Sequence, residues 1–260
     1  DWIRVLHTDN QGRLWIATDR GGLHLYDSEK AQFQRFYSQL PVAENDTIKA
    51  MIDDGLGGLW LATRNGLKHF NPSTGRFTVW QHQENNPSSI ATNRLTSLTL
   101  DEQGNLWVGH LYGLDYKAHD SDDFVHYQIS QDSQHKTVRS LLIDNARRLW
   151  IGTNVGLEIW DLNQSPMQRR RLNENDGFVS GTVYRIFQDK EGQIWLGLAS
   201  QGLLVQRKAD EKFHYFQHLT GNPSSISGND VEAIFQDNSG ILWIATWSGG
   251  LNFVDLSSHQ

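Results

Sequence analysis

The segment Asp9-Asn-Gln-Gly-Arg-Leu-Trp-Ile-Ala-Thr18 returns near the end of the chain as Asp237-Asn-Ser-Gly-Ile-Leu-Trp-Ile-Ala-Thr246, and four further copies lie between them. Each copy centres on a tryptophan preceded by Leu or Ile: Trp15, Trp60, Trp107, Trp150, Trp195 and Trp243, at spacings of 45, 47, 43, 45 and 48 residues. Six residues before each tryptophan stands an aspartate (Asp9, Asp54, Asp101, Asp144, Asp189, Asp237). Three before it stands a glycine in every copy except the fourth, which has Arg147. Gly-Leu follows six or seven residues after the tryptophan, and a small residue, alanine or glycine, always lies two positions past it. A period of this length marks a supersecondary unit that recurs along the chain.

Each unit reads as four short strands, for example Ile48 to Ile52, Leu59 to Thr63, Leu67 to Phe70 and Phe77 to Gln81. The Asp-x-x-Gly segment supplies the tight turn between the first two. Its aspartate accepts hydrogen bonds from nearby amides and its glycine takes positive φ. The second glycine is expected to start the third strand. A four-stranded sheet of about 45 residues buries little by itself, so the units must stack face to face, and radial stacking of such sheets gives a β-propeller. A large tryptophan against a small residue suits that packing. No stretch of ten or more residues has helical periodicity. The expected fold is all-β: residues 1–260 form one domain of six blades, with the last blade short of its fourth strand or the chain a fragment of a larger propeller.

The bulk composition excludes several function classes. A net charge of −7 gives no basic field for nucleic acid or an anionic membrane surface. Without cysteine there are neither disulfides nor thiolate metal sites. No run approaches the roughly 18 apolar residues of a membrane span. The start at Asp1, inside a strand-like segment, reads as a processed or excised piece of something longer. Eleven histidines show no ligand spacing, the Asp-x-x-Gly turns lack the oxygens of a calcium loop, and no nucleophile elbow or phosphate loop occurs, so no cofactor, metal or catalytic residue is expected.

The core motif, Asp-x-x-Gly-x-Leu-Trp-Ile-Ala/Gly-Thr followed by Gly-Leu and an aromatic residue, resembles the two-component-regulator propeller repeat. Asp9 to Tyr26 and Asp237 to Phe253 follow it most closely. Asn86 to Ile90 and Asn222 to Ile226, both Asn-Pro-Ser-Ser-Ile, resemble the linker that precedes a blade in that family. The resemblance implies the periplasmic sensor region of a membrane-spanning receptor whose output is a histidine kinase or a diguanylate cyclase. It implies as partners the rest of the receptor chain, a small-molecule or oligosaccharide ligand, and a second copy in a homodimer, with contact to a membrane only through segments outside this chain. A propeller lyase resembling the streptogramin lyases is the enzymatic alternative, for which His110 and Glu232 are the available histidine and carboxylate. A pure protein-protein scaffold is the third.

In a propeller the connections between strands two and three, and those between blades, share one face around the central channel. The first set contributes Asp19, Arg20, Arg64, Asn65, His110, Tyr112, Asn154, Gln201 and Trp247, and the second Asn45, Asn93, Arg94, His135 and Asn229. A variable position eleven residues before each tryptophan holds Arg4, Lys49, Thr96, Arg139, Tyr184 and Glu232. If these face the channel, three cations converge and favour an anionic ligand such as a uronic acid. The ligand-binding candidates are therefore Arg4, Lys49, Arg139, Tyr184, Arg20, Arg64, His110, Tyr112, Asn154 and Trp247. Arg169, Arg170 and Arg171 are expected between strands, as a solvated edge.

Overall fold

A computed structural model describes residues 2–19, 21–36, 47–129, 137–178, 180–207 and 212–256. Blade 1 contains β1 (Ile3–Thr8), β2 (Leu14–Thr18), β3 (Gly22–Asp27) and β4 (Gln32–Phe36). Blade 2 contains β5 (Ile48–Asp53), β6 (Leu59–Thr63), β7 (Gly66–Asn71) and β8 (Arg76–Trp80). Blade 3 contains β9 (Leu95–Leu100), β10 (Leu106–His110), β11 (Gly113–Lys117) and β12 (Phe124–Tyr127). Blade 4 contains β13 (Val138–Ile143), β14 (Arg148–Thr153), β15 (Leu157–Asp161) and β16 (Gln168–Arg171). Blade 5 contains β17 (Val183–Gln188), β18 (Ile194–Leu198), β19 (Gly202–Gln206) and β20 (His214–Phe216). Blade 6 contains β21 (Val231–Gln236), β22 (Ile241–Thr246) and β23 (Gly250–Asp255).

Each sheet runs in sequence order, and the last has three strands among the described residues. The fold class is that of a β-propeller. The one helical element described is the single 3-10 turn Glu174–Asp176. The triple-arginine run corrects the sequence expectation: it lies inside β16, the fourth strand of its blade, where Arg169 stacks over the Trp160 ring at 4.0 Å and Arg170 pairs with Asp176.

By compactness the chain divides into two units, residues 1–138 and 139–260. In the first, Trp15, Ala17 and Leu23 pack with Ile48, Met51, Leu59 and Phe70 of the next sheet. In the second, Trp150 and Leu157 pack with Val183, Ile186 and Leu196, and Trp195 and Leu203 with Val231, Ile234 and Ile244. The tryptophan face of one blade thus docks on the opposite face of the next. This explains the small residue two positions later. A Cβ on Gly152 would stand 2.8 Å from Val183 Cγ1, and one on Gly197 would stand 2.6 Å from the Val231 carbonyl oxygen.

The aspartate six residues before the tryptophan does more than shape a turn. Asp144 Oδ1 accepts the amides of Ala146 and Arg148, while Oδ2 accepts Arg148 Nε and the Trp150 indole N–H at 2.8 Å. The same carboxylate-to-indole bond occurs from Trp15 to Asp9, Trp195 to Asp189 and Trp243 to Asp237, at 2.7–2.9 Å. In blade 2 His69 bonds the second carboxylate oxygen, and in blade 3 Asn105 bonds it from the position that Arg148 and Gln193 occupy in their blades. Arg147 breaks the sequence pattern but not the turn: its φ of 58° reproduces the left-handed conformation of the glycine in the other copies.

Candidate functional site

The antiparallel register brings the start of each first strand beside the end of the second, so the candidate connections of a blade do lie at one edge of it. The first residue of the connection donates its amide across this edge, Asp19 to Trp2, Arg64 to Thr47, Ala199 to Thr182 and Trp247 to Asp230. A threonine just before the first strand then reaches the preceding blade: Thr47 Oγ1 donates to the Asp19 carbonyl and Thr182 Oγ1 to that of Asn154. These hydroxyls fix the connections against the next sheet, a function the sequence reading did not assign to them.

The variable position eleven before the tryptophan has a physical identity. In the five blades whose pairing is described, the first strand carries a register break there, so Arg4, Lys49, Thr96, Tyr184 and Glu232 are the extra residues of a β-bulge. A bulge sets two residues against one on the partner strand and re-aims their side chains. The next position along turns towards the neighbouring blade in several copies: Val5 and Ala50 lie against core clusters and Ser140 Oγ accepts the Ile186 amide. It holds Val5, Ala50, Ser97, Ser140, Arg185 and Ala233. Arg185 is the one bulky charge among small or apolar residues, and sequence reasoning passed over it.

The candidates separate sharply in their surroundings. Arg4 is tied to Asp19 through Nε at 2.9 Å, which lowers the Asp19 carboxyl pKa through that hydrogen bond. Lys49 adds to the same local field. Thr96 donates to the Val138 carbonyl. Asn93 and Asn229 each accept the amide of a histidine, His82 and His218, so they brace the two Asn-Pro-Ser-Ser-Ile linkers. Asn65 accepts from Gln81, and Gln201 donates to the Ser180 carbonyl. Arg64 and Arg94 are exposed, Asn154 is half-buried, and Tyr112 and Trp247 are open to solvent, Trp247 at 73%. Arg20, Asn45 and His135 lie outside the described residues.

His110 is not a surface group. It is 3% exposed and turned into blade 3, where Nε2 faces Asp115 Oδ1 at 3.3 Å and Nδ1 accepts the Tyr112 amide. That amide contact is the one made by the repeat's threonine hydroxyl elsewhere, from Asn65 to Thr63 and from Val155 to Thr153. The histidine has replaced the threonine and kept its role.

Asp115 also accepts the Ala91 amide and His126 Nδ1 at 2.6 Å, while His126 Nε2 lies 2.9 Å from the Pro87 carbonyl. Both nitrogens of His126 face acceptors, so both carry protons and the ring is an imidazolium. Burial disfavours that charge, but the Asp115 carboxylate and then the Pro87 carbonyl outweigh it and raise the pKa of His126. Burial pushes the Asp115 carboxyl up, yet its hydrogen bonds hold it below the usual range. The two contacts clamp the linker onto its blade.

A raised histidine pKa contributes stability that is whole below the ordinary value of about 6.5 and is lost as pH rises through the folded value. The melting temperature of the wild type minus that of His126→Gln is therefore expected to fall as pH rises above about 6.5. The change corresponds to about 1 kcal/mol or less, because the ring is partly exposed and screened. A flat difference above that pH would show that the clamp carries no charge.

With this geometry in place, similarity to known proteins can be weighed. The family model described as two component regulator propeller matches residues 177–199 and 225–248. Two of its blades thus match the two-component-regulator propeller repeat. These two matches cover the turn and tryptophan strand of blades 5 and 6, and the other four blades share the same turn, strand and packing plan. A curated relative, histidine kinase P4 of Formosa agariphila, is 27% identical over 98% of this chain, which spans 16% of the kinase. Among solved structures, the extracellular domain of a putative hybrid two component system from B. thetaiotaomicron matches with a TM-score of 0.62 and 24% identity, over 97% of this chain and 39% of that one. Virginiamycin B lyase from Staphylococcus aureus matches with a TM-score of 0.69 and 11% identity, over 98% of this chain and 84% of that one. Both structural likenesses speak to the fold.

Proposed function

We propose that the regulator-propeller chain is the extracytoplasmic sensing region of a bacterial signalling receptor, a non-enzymatic module that binds a small molecule and passes its bound state to the rest of the receptor. The observation that carries this reading is the match of the regulator-propeller repeat, supported by a histidine-kinase relative of which the chain spans a small share. A sensor acts by shifting a population between two arrangements, which requires different affinities for the two. The first strands and the connections at their edge are the surface for such a ligand. They hold the charged and aromatic side chains that vary between otherwise equivalent blades, and variation at fixed backbone positions is how a repeat scaffold acquires specificity.

Two exposed apolar faces support engagement with the remainder of the receptor. In the first unit Trp2, Ile3 and Leu6 are open to solvent. In the second, Phe235, Leu251 and Phe253 are, although tryptophan faces elsewhere in the units are covered. Faces of this kind mark interaction surfaces.

The lyase reading has the shared fold in its favour, but a catalytic base must reach substrate, and both ring nitrogens of His110 are engaged inside blade 3. A thermal-shift screen against neutral and acidic oligosaccharides, amino acids and nucleotides, with light scattering in parallel, tests the sensing reading. A ligand at about 100 times its Kd stabilises by about 2.7 kcal/mol, several degrees in a domain of this size. Stabilisation of a monomer by one chemical class is expected. A protein that changes only its association state, with no ligand effect, would instead be a scaffold.

A further inference from the structure

The two Asn-Pro-Ser-Ser-Ile linkers fold alike. In each, an asparagine side chain accepts the amide of the histidine ahead of the motif, His82 to Asn93 and His218 to Asn229, both at 2.7 Å. Nδ1 of that histidine lies 2.9 Å from the isoleucine carbonyl, Ile90 or Ile226, and the Ser89 and Ser225 hydroxyls donate to the Asn86 and Asn222 carbonyls at 2.8 Å. The carbonyl of the same asparagine accepts the amide of the glycine that starts the third strand of the preceding blade, Gly66 at 2.9 Å and Gly202 at 2.8 Å. Each linker is thus tied to the connection between strands two and three, which carries Arg64 and Asn65 in blade 2 and Ser200 and Gln201 in blade 5.

What differs is the hold on the following blade. The second linker rests on neutral groups: Asn252 accepts the Ser227 amide and donates to the Ser227 hydroxyl. The first rests on a charged pair. Asp115 accepts the Ala91 amide through Oδ2 and His126 Nδ1 through Oδ1, while His126 Nε2 meets the Pro87 carbonyl. His126 therefore bridges β11 and the linker, and only a doubly protonated ring can donate both ways at once. A neutral imidazole has one N–H. It gives up either the carboxylate or the linker carbonyl, and the contact that survives loses its charge assistance. The charged or titratable groups about this ring are Asp115 on β11 and, against the same Oδ1, His110 on β10; the linker meets it through a carbonyl.

We propose that His126 is a pH-sensitive latch for residues 82–93: its protonated ring holds the linker on blade 3, and loss of that proton loosens the linker and, through Asn93 and Gly66, the blade 2 connection. Burial works against the charge, but Asp115 and the Pro87 carbonyl raise the pKa above the ordinary value of about 6.5. The latch is accordingly closed in mildly acidic medium and opens as pH rises through the folded value. The Phe124 amide, which donates to the Ser88 carbonyl, does not titrate, so the linker loosens without leaving its blade.

The test is hydrogen exchange of the whole chain, read by mass spectrometry at pH values on both sides of about 6.5. Because both linkers share Asn-Pro-Ser-Ser-Ile, their intrinsic exchange changes alike with pH. His82 and His218 make the same contacts, so their response cancels as well. The ratio of exchange in the first linker to that in the second isolates the latch. It is expected to rise about 2- to 5-fold with pH, the span of a partly exposed ion pair, and exchange at Gly66 is expected to rise with it relative to Gly202. Asp115→Asn, which gives blade 3 the contact that Asn252 makes, is expected to abolish the pH dependence. His126→Gln is expected to abolish it too, with the ratio high throughout. His110→Thr, which restores the residue at this position in blades 1, 2, 4 and 6, is expected to keep it. Unchanged exchange in the second linker shows that each variant is folded. A wild-type ratio that stays constant with pH overturns the latch, as does a dependence that survives in His126→Gln or disappears in His110→Thr. A rising ratio with unchanged exchange at Gly66 confines the effect to the linker and overturns its coupling to blade 2.

Discussion

Replacing Asp144 by alanine is expected to destabilise the protein by about 3–5 kcal/mol, a drop of about 10 °C in the melting temperature of the affected transition. The carboxylate is buried and satisfies four donors at once: two turn amides, Arg148 Nε and the Trp150 indole. Alanine leaves the indole N–H inside an apolar layer without an acceptor and leaves the Arg148 guanidinium, which stacks 5.4 Å from the Trp150 ring centroid, without its charge partner. Each buried donor left unsatisfied costs about 1–3 kcal/mol, which is where the total arises. Asp144→Asn keeps one oxygen for the amides but turns an NH2 towards two donors, so it is expected to lose roughly half as much. Thermal and urea unfolding followed by tryptophan fluorescence distinguish the three proteins. Equal stability of Asp144→Ala and wild type would mean that the constant Asp-to-Trp spacing reflects turn shape alone.

The second large effect concerns blade stacking. Gly152→Ala is expected to destabilise by about 1–3 kcal/mol through overpacking, because its new methyl group would meet Val183 Cβ and Cγ1 and Ile186 Cδ1 at 2.8–3.2 Å. Val183→Ala alone leaves a void and is destabilising too. The double variant exchanges which residue supplies the methyl group, so it is expected to recover at least about 0.5 kcal/mol relative to the sum of the single changes. Strict additivity would place the two residues out of contact and remove the explanation offered for the small residue after each tryptophan.

The blades were legible in the sequence because each depends on local chemistry repeated six times. Leu59 to Thr63 was read with its observed ends, while β5 differs from expectation by one residue at its end and β7 and β8 by one residue at each end. The indole bond was missed although the spacing that produces it was plain, since nothing in a list of residues tells a carboxylate which donors it will meet across a turn. The bulge had a larger consequence. An extra residue changes which side chains share a face, and Arg4, put forward as a ligand contact, is already held by Asp19 fifteen residues away. His110 misled for a related reason: its ring does the work of a threonine hydroxyl, and that substitution is visible only once the Tyr112 amide is seen to point at Nδ1. The arginine run was read as a connection because β-propensity is weak for Gln-Arg-Arg-Arg, and pairing with β15 overrides it.

The linker clamp shows how the same position is served by different chemistry. Asn252 in blade 6 occupies the place of Asp115 and accepts the Ser227 amide at 2.9 Å, as Asp115 accepts that of Ala91 at 2.8 Å. The charge at Asp115 is therefore an addition to a contact that an amide side chain can make, and it is matched by the imidazolium of His126.

The central claim is that the protein binds its ligand without transforming it. The direct measurement is to saturate the whole chain with a ligand that stabilises it in the thermal-shift screen, recover that ligand after prolonged incubation, and compare its mass and ultraviolet absorbance with the starting material. Stoichiometric binding and recovery of an unchanged ligand is the predicted result. Accumulation of cleaved or unsaturated product in excess of the protein would contradict it and make the propeller an enzyme.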